Sequence, residues 1–98
     1  MKKIKIQFRA GYWDSFLVNE EEEEEDPIDF KLSRDLVEKC KDWKRSIDDP
    51  YYSMQDYITR LTYEIEGLSL VQRLLKELPR WVQLSYYSEF YKMEVFFY

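Results

Sequence analysis

Seven carboxylates in a row, Glu20 to Asp26, with no lysine or arginine among them, set the first limit on how this chain folds. Neighbouring like charges repel, and the run has no apolar side chain to bury, so residues 19–27 are expected as an acidic surface loop closed by Pro27. Asp14 to Asp29 holds nine acids and no base, a charge of −9. The other 11 acids and 15 bases leave the rest of the chain at +4. Such a field steers encounter with a basic partner and argues against nucleic acid or anionic lipid on that face. Fully extended, glutamates rise about 3.3 Å per residue, close to the ~3.4 Å per phosphate of one DNA strand. In that form the run imitates a phosphate backbone toward a basic cleft. The bland alternative is a solvated loop with no partner.

A chain of 98 residues builds one core and no second one, so residues 1–98 are read as a single domain. With 45% apolar and 18% aromatic residues the chain has enough to bury, despite its charge. Two glycines and three prolines are too few for a turn-rich all-β design. Cys40 is the only cysteine, which precludes an intramolecular disulfide and fits a reducing compartment. "MKKIKIQF" has no apolar run of signal-peptide length, and no segment reaches membrane-span length. A cytoplasmic protein without a membrane partner is expected.

Strict alternation in "KIKIQFR" places Ile4, Ile6 and Phe8 on one side of a strand and Lys3, Lys5, Gln7 and Arg9 on the other. Gly11 interrupts it, and "SFLV" returns as a short second strand. Beyond the loop, Ile28 and Phe30 are expected to re-anchor the chain in the core. Ser33 is a good N-cap, with Leu32 and Val37 at the spacing of a hydrophobic staple. Leu36, Cys40, Trp43 and Ile47 follow on one helical face, and Asp48 to Pro50 stop that helix. A second helix is capped by Ser53 with Asp56 and ends at Pro79. Its apolar face is read as Ile58, Leu61, Ile65, Leu68, Val71, Leu75 and Leu78. Gly67 inside it implies close packing on a neighbour. "WVQLSYY" and "FYKMEVFFY" are two strands turning at Ser88-Glu89, with Tyr91, Met93, Val95 and Phe97 on one face. The sum is α+β: a small antiparallel or mixed sheet of N-terminal and C-terminal strands, covered on one face by two helices.

Little in this chain suits catalysis. It has no histidine, which removes Ser-His and Cys-His nucleophile systems and most zinc sites. Gly11 and Gly67 stand alone, so there is no phosphate-binding loop. Cys40, on an apolar stripe, reads as a buried structural thiol. A flexible acidic loop does not fix a carboxylate pair at the separation of about 5–9 Å that a glycosidase needs. It also lacks the interleaved Asp/Asn and the turn glycine of an EF-hand. No catalytic residue, metal site or cofactor is expected. Tyr12 and Trp13, beside the acids, are plausible protein-interface anchors.

"LSRDLVEKCKDW" (Leu32 to Trp43) and "EGLSLVQRLLKEL" (Glu66 to Leu78) resemble segments of a family of small acidic bacterial immunity proteins of toxin systems, including contact-dependent growth inhibition. "RAGYWDSFLVN" and "DPIDFKLS" are similar to the opening of that family, an aromatic-rich strand and an acidic loop. The chain departs from the pattern in lacking a Pro-Leu-Trp near Phe16 and in its longer, more aromatic last strand. The resemblance implies a role: binding and neutralising a cognate toxin domain, often a nuclease. It carries over no toxin-contact residue, because the matched positions (Ser33, Leu36, Trp43, Gly67, Leu74, Leu78) are cap and packing residues.

The expectation is a non-enzymatic toxin inhibitor that occludes a basic nuclease domain. Its toxin-binding residues would be Tyr12, Trp13, Asp14, Glu20, Glu21, Glu22, Glu23, Glu24, Glu25, Asp26 and Asp29. The alternative is an acidic adaptor or regulator of another basic protein; a carboxylate-only enzyme comes a distant third. Three consecutive aromatics, Phe96 to Tyr98, put apolar surface on both sides of the last strand, so homodimerisation through it is also expected.

Overall fold

A computed structural model describes residues 4–10, 15–48 and 57–97. The elements are β1 (Ile4–Phe8), β2 (Leu17–Asn19), a 3₁₀ turn (Pro27–Phe30), α1 (Arg34–Asp48), α2 (Tyr57–Glu77), β3 (Val82–Ser88) and β4 (Met93–Phe96). The strands form one mixed sheet in the order β2-β1-β3-β4. β1 is antiparallel to β2 and parallel to β3, and β4 returns antiparallel to β3. This is the expected α+β domain, with α1 and α2 forming the crossover between the two central parallel strands.

Period-two alternation decides the faces. Ile6 and Phe8 of β1, with Leu84 and Tyr86 of β3, are buried beneath the helices. Gln7, Ser85 and Tyr87 take the opposite, open face. Trp43 of α1 is the keystone of the core. Its ring stacks on Phe8 at 4.6 Å and on Tyr63 of α2 at 4.7 Å between centroids. Its Nε1 donates to the Tyr63 carbonyl at 3.1 Å. Gly67 is where α2 comes closest to this layer: a Cβ there would lie 2.8 Å from the Trp43 ring and 2.9 Å from the Tyr86 hydroxyl. Close packing is therefore why a glycine interrupts the helix, as its position implied.

α1 begins as its sequence predicts. The Ser33 Oγ accepts from the Leu36 amide at 3.4 Å, and Leu36, Cys40 and Trp43 form the buried face. Ser33 also reaches α2, donating through its amide and its hydroxyl to Glu77 at 2.7 and 3.0 Å. Arg73 of α2 adds a 2.9 Å bond to Asp35 of α1 and holds that carboxyl below the ordinary range.

Four expectations are corrected. α2 buries Tyr63, Glu64, Gly67, Leu70, Val71 and Leu74, so of the apolar face read from the sequence only Val71 is fully buried, while Leu78, just past the helix end, packs half-buried against the core. Ile58, Leu61, Ile65, Leu68 and Leu75 lie exposed on the flank. The helix has two apolar stripes, and small or polar core positions (Gly67, Glu64) made the inner one look like the outer. Ile28 is 75% exposed, and Phe30 alone anchors the chain after the loop. The β3–β4 connection is wider than Ser88-Glu89: Lys92 takes a left-handed conformation (φ 54°) and its amide bonds the Ser88 carbonyl at 2.9 Å. Tyr91 falls in this turn, leaving Met93, Val95 and Phe97 on the helix side of β4. The fourth correction concerns the acidic run. Gly11, Asp49, Pro50, Ser53, Asp56 and Tyr98, on which other expectations rested, lie outside the described residues, as does the side chain of Ile47.

Candidate functional site: the acidic hairpin and its groove

The acidic run is neither extended nor loose. Asn19, the last residue of β2, organises it. The Asn19 Oδ1 accepts from the amides of Glu21 (2.9 Å) and Glu23 (3.0 Å), the local side-chain-to-backbone bonding for which asparagine is favoured in turns. The Asn19 amide donates to the Glu23 carbonyl at 2.8 Å, and its carbonyl accepts from Glu22 at 3.0 Å. Glu22 supplies the turn with φ 63°. The chain then doubles back along β2, with Glu24 bridging Val18 and the Glu25 amide donating to the Leu17 carbonyl at 2.9 Å. The Asn19 Nδ2 also donates to the Glu25 carboxylate at 3.0 Å, and the Ser15 hydroxyl to the Glu25 carbonyl at 2.7 Å. A phosphate-like ladder of glutamates is therefore ruled out as the geometry of this segment.

Backbone pinning turns the carboxylates outward. Glu20 to Glu24, Asp26 and Asp29 are exposed, and Glu25 is half-buried. Crowding shows in Glu23, whose carboxyl is raised above its ordinary value chiefly by a side-chain hydrogen bond with Glu21 and then by the Glu21 charge. Asp26 caps the next turn, accepting from the Ile28 amide at 3.0 Å, with Pro27 in the first position where no amide is needed. Capping points Ile28 outward.

Between this hairpin and α1 lies a groove of about 650 Å³. Phe16, Ile28, Leu32 and Val37 line it, with Glu24, Glu25 and Asp26 on one rim and Arg34 and Lys41 on the other. Outward-facing carboxylates on a pinned backbone, beside an exposed isoleucine, suit a basic protein segment carrying one apolar side chain. Seven of the expected site residues, Glu20 to Asp26, are thus gathered in one hairpin, with Asp29 in the turn that follows it; Tyr12, Trp13 and Asp14 lie outside the described residues. Sequence reasoning missed Asn19 as organiser and Ile28 as surface, although Asn before a polar run and Asp-Pro before a turn are the signals that carry them.

The open face of the sheet is concave too, but its polar groups answer one another. Glu94 accepts from Gln7 and Ser85, and Arg9 bonds Gln7 and Glu89 while lying 4.1 Å over the Tyr87 ring. Among the described residues no group of three or more carboxylates or thiols is placed to hold a metal ion, and no helix is long and apolar enough to cross a membrane. No family model, curated protein or solved structure matches the chain.

Proposed function

We propose that this protein is a non-catalytic, cytoplasmic binding protein that engages a basic protein domain through the acidic hairpin, and that the partner is a toxin domain it neutralises. The observation carrying the first half is the hairpin itself: Asn19 holds the backbone so that a dense set of carboxylates stays presented beside the exposed Ile28 and the apolar groove. A loop that merely had to stay solvated needs no such scaffold. The toxin half rests on the resemblance of the two helical segments to immunity proteins. Inhibition on this reading is steric and electrostatic: the hairpin occupies the basic surface on which the toxin binds its nucleic acid, and no chemistry is required.

The test is kinetic. Replacing Glu20 to Glu25 by glutamine keeps size and polarity and removes charge. Association with a cognate basic toxin domain is expected to slow about tenfold or more at low salt, within the range of electrostatic steering. The difference should vanish toward 1 M salt, where the screening length is ~3 Å. Equal rates at every salt concentration would place recognition on another face, and failure of the wild type to protect cells from that toxin would end the immunity reading.

A further inference from the structure

The apolar flank of α2 is a surface that neither the core nor the acidic site uses. α1 packs on the side of Tyr63 and Leu70, and α2 lies over β3, where Glu64 meets Ser88 and Gly67 meets Tyr86. Leu61, Ile65, Leu68 and Leu75 therefore project away from α1, toward the β4 edge. There Met93 and Val95, the strand partners of Ser88 and Tyr86, face the same side and are exposed as well. These six side chains leave on the order of 500 Å² of apolar surface, within the roughly 300–600 Å² of a typical monomer's largest patch, which is often functional. Gln72 is the one polar residue within the helical stripe, and none in it is charged.

Three features make this surface complementary to itself. β4 ends the sheet, with β3 on one side and no strand on the other among the described residues. Leu61, Leu68 and Leu75 are spaced by sevens and symmetric about Leu68, so a second α2 running antiparallel sets Leu68 on its own copy and Leu61 on Leu75. The two elements also share one centre. Val95, mid-strand, pairs with Tyr86, and Tyr86 lies beneath Gly67, the midpoint of α2. A two-fold axis normal to the sheet, lying just outside β4 and level with its middle, is thus also level with the middle of α2.

We infer that the chain forms a two-fold dimer in which β4 pairs antiparallel with β4 of a second copy and the two α2 helices close over the seam. β3 and its symmetry mate stand about 14 Å apart, three strand spacings. The helices above them face each other across the seam, with the exposed Leu61, Leu68 and Leu75 of each turned toward it. Full coverage of the two patches buries about 1,000 Å², the threshold for a biological interface, and the paired strand edges add to it. The acidic hairpin sits on β2, at the far edge of the sheet, so its charge does not oppose association. The dimer presents two hairpins pointing away from each other.

Sedimentation equilibrium of the wild-type protein is expected to give twice the monomer mass at 100 µM, and Val95→Lys is expected to give monomers. Leu68→Glu and Leu68→Lys should each be monomeric with native circular dichroism, and should form a heterodimer when mixed, because only a residue on the axis meets itself. A wild-type monomer at 100 µM, or dimers that persist in Leu68→Glu, would overturn the inference. Dimers persisting in Val95→Lys would remove β4 from it.

Discussion

The Tyr86 hydroxyl donates to the Glu64 carboxylate across the α2–β3 interface, and that carboxylate accepts a second bond from the Ser88 hydroxyl at 2.6 Å. Both residues are buried, so Glu64 holds α2 over the sheet by polar contacts set inside an aromatic core. Ser88 in turn accepts from the Tyr91 amide at 3.1 Å, which extends the connection into the β3–β4 turn.

Tyr86→Phe removes one of the two donors and leaves a buried carboxylate under-satisfied, at a cost of about 2 kcal/mol. Tyr86→Phe/Glu64→Leu should be less destabilised than the sum of the single variants, because the double change leaves no orphaned charge. Urea unfolding of the four proteins measures the coupling; strict additivity would show that the contact carries no energy.

Stability should fall on the alkaline side. Burial pushes the Cys40 thiol up from 9.0 to about 12. Burial first, then the bond to Glu64, raises Tyr86 above its ordinary 10.0. Both groups hold their protons longer when folded. Their contribution is complete below about pH 9 and is lost as pH rises through the raised values. Cys40 should also resist a thiol reagent at pH 8 until the protein is unfolded in urea. Rapid labelling of the native protein would contradict its burial.

Gly67→Ala gains roughly 1 kcal/mol of helix propensity. It also forces a methyl within 3.0 Å of Trp43 and Tyr86, which are fixed by stacking and by hydrogen bonds. Overpacking of this kind costs 1–3 kcal/mol, so a net loss of about 1 kcal/mol is expected from thermal unfolding. A stabilised variant would mean that α2 shifts freely over the sheet.

Asn19→Ala should release the hairpin while leaving the sheet intact. The Glu21 and Glu23 amides lose their acceptor, and their hydrogen exchange is expected to accelerate at least tenfold against unchanged protection in β3. Association with a basic partner should weaken although no charge has been removed. Unaltered exchange at both amides would show that the turn does not depend on Asn19.

β1, α1 and the end of α2 were legible because each announces itself locally: alternation through Phe8, a serine cap before Leu36, a proline after Leu78. The face of α2 was not legible. Choosing between its stripes requires knowing that Trp43 and Tyr86 leave room only for Gly67 and that Ser88 and Tyr86 wait for Glu64, and those residues are distant in the chain. The acidic run told its charge but not its shape, since six equivalent glutamates give no sign that one asparagine will fold them back. Parallel pairing of β1 with β3 was likewise beyond a reading of strands one at a time.

That parallel pairing has a consequence for how the chain comes to be folded. Ile6 and Leu84 are partners 78 positions apart, while on its other edge β1 meets partners in β2 only 9 to 13 positions away. During synthesis at roughly 5–20 residues per second, one edge of β1 therefore waits about 4–15 s for its neighbour. Over that interval Ile6 and Phe8 line a two-stranded ribbon too small to hold its own, and closing so long a loop is intrinsically slow. Commitment to the native state comes only with the last strands, so the half-made chain is the form most exposed to proteases and chaperones, and substitutions in β3 should reduce yield in cells more than their effect on the finished protein suggests.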